Sequence, residues 1–380
     1  MTEPAYAIAR PAALRILEQL AAVRSGVESA TLAEPLAPQP EFETIEAMID
    51  AAFWASLRQE EGLPPKISLA FLPPHGTQVR LTFERSLLLA PEPLTRLAPA
   101  VESPGIHLGV WREGEELRVW GATRSLPPYC FVLEVVSPGL LVVKHSRRDA
   151  GSKFANVALL QGDQIKILDK AACKRRGAPA LLRTLLGLDG FPRATHPGDV
   201  LVRLAVAMRA HGRGGALLVV PDGCESWRES VVWPMRYAVV PVFTGLADLL
   251  RVPDAERAQQ DWHEALRRAI DAIAGLTAVD GATVLTDSRQ VLAFGTTIGR
   301  RHTSDPVERV LLSEPVEGDV ARLLAISELG GTRHQSAAQF VHDQRDAVAL
   351  VASKDGLFSL FSWSGEHELV EVHRVEGLLL

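Results

Sequence analysis

Apolar residues recur every three or four positions in two early stretches. "AALRILEQLAAV" (12–23) and "EFETIEAMIDAAFWASLRQE" (41–60) each gather Ala, Ile, Leu or Met on one side, which predicts two amphipathic helices. The second carries acids early and Arg58 late, as the helix dipole favours. "LAEPLAPQP" between them is a proline-rich connector. The period then changes to two. "KISLAFL" (66–72) and "QVRLTFE" (78–84) alternate around the turn-like "PPHG". "GIHLGVW" (105–111) and "ELRVWGAT" (116–123) flank "REGE" as a hairpin. "CFVLEVVSPGLLVVKH" (130–145) reads as two strands around Pro-Gly, and "NVALLQGDQIKIL" (156–168) adds a further β pair. The expectation is an α+β domain with an antiparallel sheet, in which Trp111, Trp120 and Phe131 are core.

A seam follows, with Lys174, Arg175 and Arg176 read as a solvated helix face rather than a phosphate site. From about residue 198 helices and strands alternate. "DVLVRLAVAMRAH", "FTGLADLLR" (243–251) and "DWHEALRRAIDAIAGL" (261–276) have helical spacing. "ALLVVPD" (216–222) is a nearly continuous apolar strand, the kind buried on both faces. "GATVLTD" and "VLAFGTTI" form strands around "SRQ", "PVEGDVARLLAISELG" reads as another helix, and "AVALVAS" and "LFSLFSW" close the pattern. This half predicts an α/β domain with a mixed central sheet covered by helices. The two domains are expected at 1–190 and 198–380.

Composition narrows the function. A chain of 380 residues with 47% hydrophobic positions favours two or three well-cored domains. A formal net charge of -6 argues against a protein that coats nucleic acid. Cys130, Cys173 and Cys224 lie far apart, without metal-ligand spacing, and read as reduced thiols. No leader pattern opens the chain and no uncharged run is long enough for a bilayer, so the expected location is cytoplasmic, away from membranes.

Two short stretches carry chemistry. In "VDGATVL", Asp280 stands between a helix and a strand, followed by Gly281 and Ala282. A carboxylate there can hold a divalent cation or polarise a hydroxyl, and the small residues leave room for a ligand; an ordinary Asp-Gly turn explains the same letters. In "SELGGTRHQSAAQFV" (327–341), Gly330 and Gly331 precede Thr332, Arg333 and His334 at a helix mouth. Unpaired N–H groups, a hydroxyl, a guanidinium and an imidazole suit a phosphate; the plain alternative is a Thr N-cap with solvated Arg and His.

Taken together, "DGA" at 280–282 and "GTRHQ" at 331–335 resemble the DGA and GTRHR hallmarks of the diadenylate cyclase domain. The resemblance spans about residues 198–363 and includes the flanks "GGALLVVPDG" and "SAAQFVHDQRDAVALVAS". The closing "LFSLFS" is more similar to the DNA-integrity-scanning branch than to the membrane-anchored one. The order of elements before 198 resembles the sensor domain called DACNV. The resemblance implies condensation of two ATP molecules into cyclic di-AMP with loss of pyrophosphate, across a face-to-face homodimer or larger assembly. It implies that Asp280 activates a 3′-hydroxyl through Mg²⁺ or Mn²⁺. Gly281 and Ala282 then form the nucleotide floor, and Gly331, Thr332, Arg333 and His334 hold phosphates. Gln335 belongs to the same implied nucleotide- and phosphate-binding stretch, but departs from the family's second Arg. Val279 and Ala352-Ser353-Lys354 depart from the membrane-anchored branch's His and Ser-Glu-Glu, as they do in the DNA-scanning branch. Two readings follow: a sensor-controlled cyclase, or a cyclase-derived module that binds a nucleotide without turning it over. The insertion at 299–319 reads as a lid, an oligomer contact or a surface excursion. Nucleic-acid binding is not expected, since no helix-hairpin-helix tail follows.

Overall fold

The computed structural model describes residues 4–25, 36–146, 154–169, 182, 197–257 and 259–380. Cys173, the basic run 174–176 and positions 32–35 of the proline-rich connector lie outside the described residues. The chain divides into two compact units, Met1–Asp169 and Lys170–Leu379.

In the first unit, helices α1 (Ala9–Ser25) and α2 (Phe42–Ser56) form where the 3.6-residue period runs. Eight strands follow: β1 (Ile67–Phe71), β2 (Arg80–Leu88), β3 (His107–Glu113), β4 (Glu116–Thr123), β5 (Phe131–Ser137), β6 (Leu140–Ser146), β7 (Phe154–Gln161) and β8 (Gln164–Ile167). They make one sheet in the order β2-β4-β3-β1-β5-β6-β7-β8. Ile16 of α1 and Ile45, Met48 and Ile49 of α2 share a core with Leu69, Leu133, Leu141 and Val143 from one sheet face. Each such side chain contributes about 2 kcal/mol by leaving water. On β3 and β4, Gly109 lies beneath the Trp120 indole, where an added Cβ would come within 2.1 Å of the ring, and that indole donates to the Leu72 carbonyl at 2.8 Å. Trp120 and Phe131 are core, while Trp111 is only partly buried.

Three details depart from the pattern reading. The sheet is mixed, because β1 pairs with β3 in parallel, Leu69 opposite Leu108. The two strands around "PPHG" are not neighbours: β2 pairs with β4 at the sheet edge, and β1 lies between β3 and β5. The crossover includes a helix, α3 (Pro91–Val101), which periodicity alone did not reveal. Its prolines mask it. A proline in the first turn needs no N–H partner, whereas Pro99 lies within the helix.

The second unit has helices on both faces of a nine-stranded sheet. Its first two elements are α4 (Pro197–Ala210) and β9 (Gly215–Val220). After these come β10 (Tyr237–Phe243), α5 (Gly245–Arg251), α6 (Asp254–Arg257), α7 (Gln260–Thr277), β11 (Ala282–Thr286) and β12 (Val291–Thr296). The remainder is β13 (Arg309–Ser313), β14 (Arg322–Ala325), α8 (Ile326–Leu329), α9 (Thr332–Asp343), β15 (Val348–Ala352), β16 (Phe358–Ser364) and β17 (Leu369–Arg374). The sheet order is β10-β12-β11-β9-β15-β16-β17-β13-β14, with β9/β11 and β13/β17 parallel. Every residue of β9 is buried because the strand feeds two cores. Leu217 and Val219 join Leu204 of α4 and Leu266 and Ile270 of α7, while Ala216 and Leu218 join Ala337, Phe340 and Val341 of α9.

Two expectations here are corrected. Residues 315–330 are not one helix: Arg322–Ala325 is strand β14, paired with β13 through Val310 opposite Leu324, and only Ile326–Leu329 is helical. Cross-strand pairing outweighs the local helical spacing. The insertion is not merely a surface excursion either, since β13 continues the sheet beside β17. No helix of the described residues is long and apolar enough to cross a membrane.

Candidate functional site

The parallel pair β9 and β11 starts level, Ala216 opposite Ala282, and antiparallel β15 ends there, Ala352 opposite Gly215. This edge of the sheet brings the two chemical stretches together. Arg333 Nη2 lies 3.7 Å from Asp280 Oδ1. Asp280 is fully exposed, whereas Arg333 is one-third exposed, so the acid reaches outward and the guanidinium is partly seated.

Small residues build that seat. Gly281 has φ +105°, and an added Cβ would lie 2.5 Å from the Gly295 carbonyl carbon. Gly295 in turn has φ +57°, and a Cβ there would meet the Tyr237 ring at 2.7 Å. Tyr237 stacks on Phe294 at 4.9 Å. Backbone thus packs directly on backbone behind Asp280, and side chains at these glycines would both strain the chain and collide. Ala282 is buried at the start of β11. On the facing side, Gly214 has φ +70°; a Cβ there would lie 3.1 Å from Arg333 Nη1 and 3.2 Å from the Ala352 carbonyl oxygen.

Helix α9 opens without a side-chain cap. Gly331 is the N-cap residue, in extended conformation, and Thr332 is the first helical residue rather than the cap. His334 N–H and Gln335 N–H donate to the Gly331 carbonyl, at 2.9 and 3.3 Å. Among the described residues, the N–H groups of Thr332 and Arg333 are left without an acceptor. Thr332 is exposed. His334 behaves differently: it is 6% exposed, its ring packs 6.1 Å from Phe361, and its Nδ1 is the nearest atom to any Cβ built on Gly330. Burial, and secondarily the Arg374 charge, lower its pKa, so the imidazole is neutral at pH 7. The Gln335 amide donates to the Gly330 carbonyl at 3.2 Å and steadies the loop.

The far end of α9 is tied down. The Asp343 carboxylate, with no exposed side-chain surface, accepts from Arg301 N–H at 2.8 Å, from Gln339 Nε2 at 2.8 Å and from the Ser304 hydroxyl. It borders a polar cavity of about 560 Å³ with Trp227, Arg301, His342 and Gln344, which contains none of the motif residues. Ser304, His342 and Asp343 meet there but do not form a nucleophile–base–orienter relay. Ser304 donates directly to Asp343, and both groups approach the same His342 atom, Nδ1.

Asp280, Arg333 and the free N–H groups therefore share one end of the sheet, with Gly281 and Ala282 behind them and His334 turned inward. Pattern reading missed Gly214, Gly295 and Tyr237, whose roles arise from approaches distant in sequence. Among the described residues, no group of three or more His, Cys, Asp or Glu side chains converges to hold a metal ion.

Against this geometry, similarity to known families falls on the other unit. The family model described as "Probable sensor domain DACNV" matches residues 34–124, a span from α2 through β4. No curated protein matches the chain.

Proposed function

We propose that the second unit is a nucleotidyltransferase of the diadenylate cyclase type, controlled by the sensor-like first unit. The observation that carries this reading is the approach of Arg333 to Asp280, 3.7 Å apart at an edge floored by glycine. Phosphoryl transfer needs position and charge neutralisation above all. The uncapped mouth of α9 and Arg333 supply donors for phosphate oxygens, and the exposed carboxylate of Asp280 supplies an acid beside them.

In this reading the 3′-oxygen of one bound ATP attacks the α-phosphorus of a second. A P–O bond forms, the bond to the β-phosphate oxygen breaks, pyrophosphate leaves, and the hydroxyl proton passes to solvent by way of Asp280. The same exchange in reverse roles closes the ring. One site holds one nucleotide, so a second copy of the chain supplies the other. Arg333 and the N–H groups of Thr332 and Arg333 hold the phosphates, and Gly281 and Ala282 keep the floor low. His334, neutral and buried, supports the turn from beneath.

A single carboxylate fits Mg²⁺ or Mn²⁺ of the kind held by one or two protein acids, with substrate phosphates and water completing the shell. Asp280 would hold that ion, which when bound neutralises phosphate charge and acidifies a hydroxyl.

One observation favours a second reading, a nucleotide-binding module without turnover. Gln335 spends its amide on the Gly330 carbonyl and brings no charge to the site. Incubation with ATP and Mg²⁺ or Mn²⁺, followed by chromatography, separates the two. Cyclic di-AMP that disappears in Asp280→Asn supports the enzyme. Saturable ATP binding dependent on Arg333, without product, supports the module. Neither product nor binding overturns both.

A further inference from the structure

The mouth of the site holds a cation that the motifs do not include. The turn between β15 and β16 is closed by Ser353 N–H donating to the Leu357 carbonyl at 2.8 Å and Gly356 N–H to the Ser353 carbonyl at 3.2 Å. This turn presents Lys354 beside Gly214. A Cβ built on Gly214 would lie 3.1 Å from Arg333 Nη1 and 3.4 Å from Lys354 Cγ, so the Arg333 guanidinium and the Lys354 stem both lie beside this glycine. Gly214, at φ +70°, is a position where a side chain would strain the backbone.

The charges around this point are unbalanced. Arg333 has Asp280 at 3.7 Å, and that acid is fully exposed. Lys354 is exposed and, among the described residues, has no carboxylate within ion-pair distance and no hydrogen-bond acceptor. Its chain neighbour Asp355 is likewise exposed and unpaired through its carboxylate. Arg213, next to Gly214, is a further exposed cation. A local excess of positive charge draws a polyanion.

We infer that Lys354 is a polyphosphate ligand of this site, supplying from the β15–β16 turn the positive charge that Gln335 does not supply from α9. The inference rests on the nucleotide reading and assigns the binding energy to a different residue from the motif's fifth position. An ammonium on a flexible stem suits the outer phosphates of a triphosphate, where a point charge suffices.

Titration calorimetry with ATP·Mg²⁺ and with inorganic tripolyphosphate tests it. Lys354→Ala and Lys354→Gln should each weaken both ligands about tenfold or more, and Lys354→Arg should bind as the unaltered chain does. The loss should shrink as salt rises, because the group is exposed. Gln335→Arg should restore binding in the Lys354→Ala background. Lys354 faces solvent, so an unchanged thermal midpoint separates lost binding from lost folding. An unaltered chain that binds ATP, with Lys354→Ala binding equally well, overturns the inference and leaves Lys354 as a surface stem packed on glycine. An unaltered chain that binds neither ATP nor tripolyphosphate overturns the nucleotide reading itself and this inference with it.

Discussion

Arg333, on the first turn of α9, stands 3.7 Å from Asp280, which precedes β11 by two residues. The two are 53 positions apart in the chain and come from opposite sides of an intervening insertion. An exposed pair of this kind adds little to stability. Asp280→Asn should leave the urea midpoint unchanged and, on the cyclase reading proposed above, abolish cyclic di-AMP formation. Arg333→Ala should weaken ATP binding about tenfold or more in calorimetry.

The glycines of the site should be intolerant at one position and indifferent at another. Gly281→Ala meets both φ +105° and backbone at 2.5 Å, and should cost about 2 kcal/mol or more in urea denaturation. Gly331→Ala has an ordinary φ and nothing within 4 Å of the added carbon, so its midpoint should barely move.

Acid should destabilise the second unit through three of its histidines. Burial lowers the pKa of His334, His211 and His373. Arg374 reinforces this at His334 and Arg213 at His211, while Glu371 opposes it at His373. Unfolded histidines, with pKa about 6.5, bind protons that the folded ones refuse. Their contribution is therefore complete above about pH 6.5 and is lost as pH falls through the lowered folded values. Thermal melts from neutral to acidic pH should show this fall, and His334→Gln should make it shallower.

Asp343 should be the most sensitive acid at the other end of α9. Asp343→Ala leaves Arg301 N–H, Ser304 and Gln339 without their shared acceptor, a carboxylate that has no exposed surface. A loss of about 1–3 kcal/mol is expected in chemical denaturation. Asp305→Ala, at an exposed position nearby whose carboxylate has no hydrogen-bond or ion-pair partner among the described residues, serves as the control.

How much of this was legible beforehand depended on how local the cause was. Helices α1, α2, α4 and α7 follow from repeats of Ala, Leu and Ile within one segment, and β9 from an unbroken apolar run. Helix α3 was hidden by three prolines, and β10 by Pro241 and largely exposed apolar side chains that match no burial pattern. The stretch at 315–330 has helical spacing, yet Arg322–Ala325 pairs with β13, a partner no local pattern names. At the site, "DGA" and "GTRH" can be read as letters. The seats beneath them cannot: Gly295 under Gly281 and Gly214 under Arg333 are juxtapositions of remote backbone.

Asp343 gathers the 301–304 loop at the tail of α9, while the head of the same helix is uncapped. Amide deuteration should therefore be slow over 337–341, in the core, and quick at 332 and 333. A polyanion settling on that head would shield those two amides first, which turns the segment into a native reporter of occupancy, readable by mass without any label.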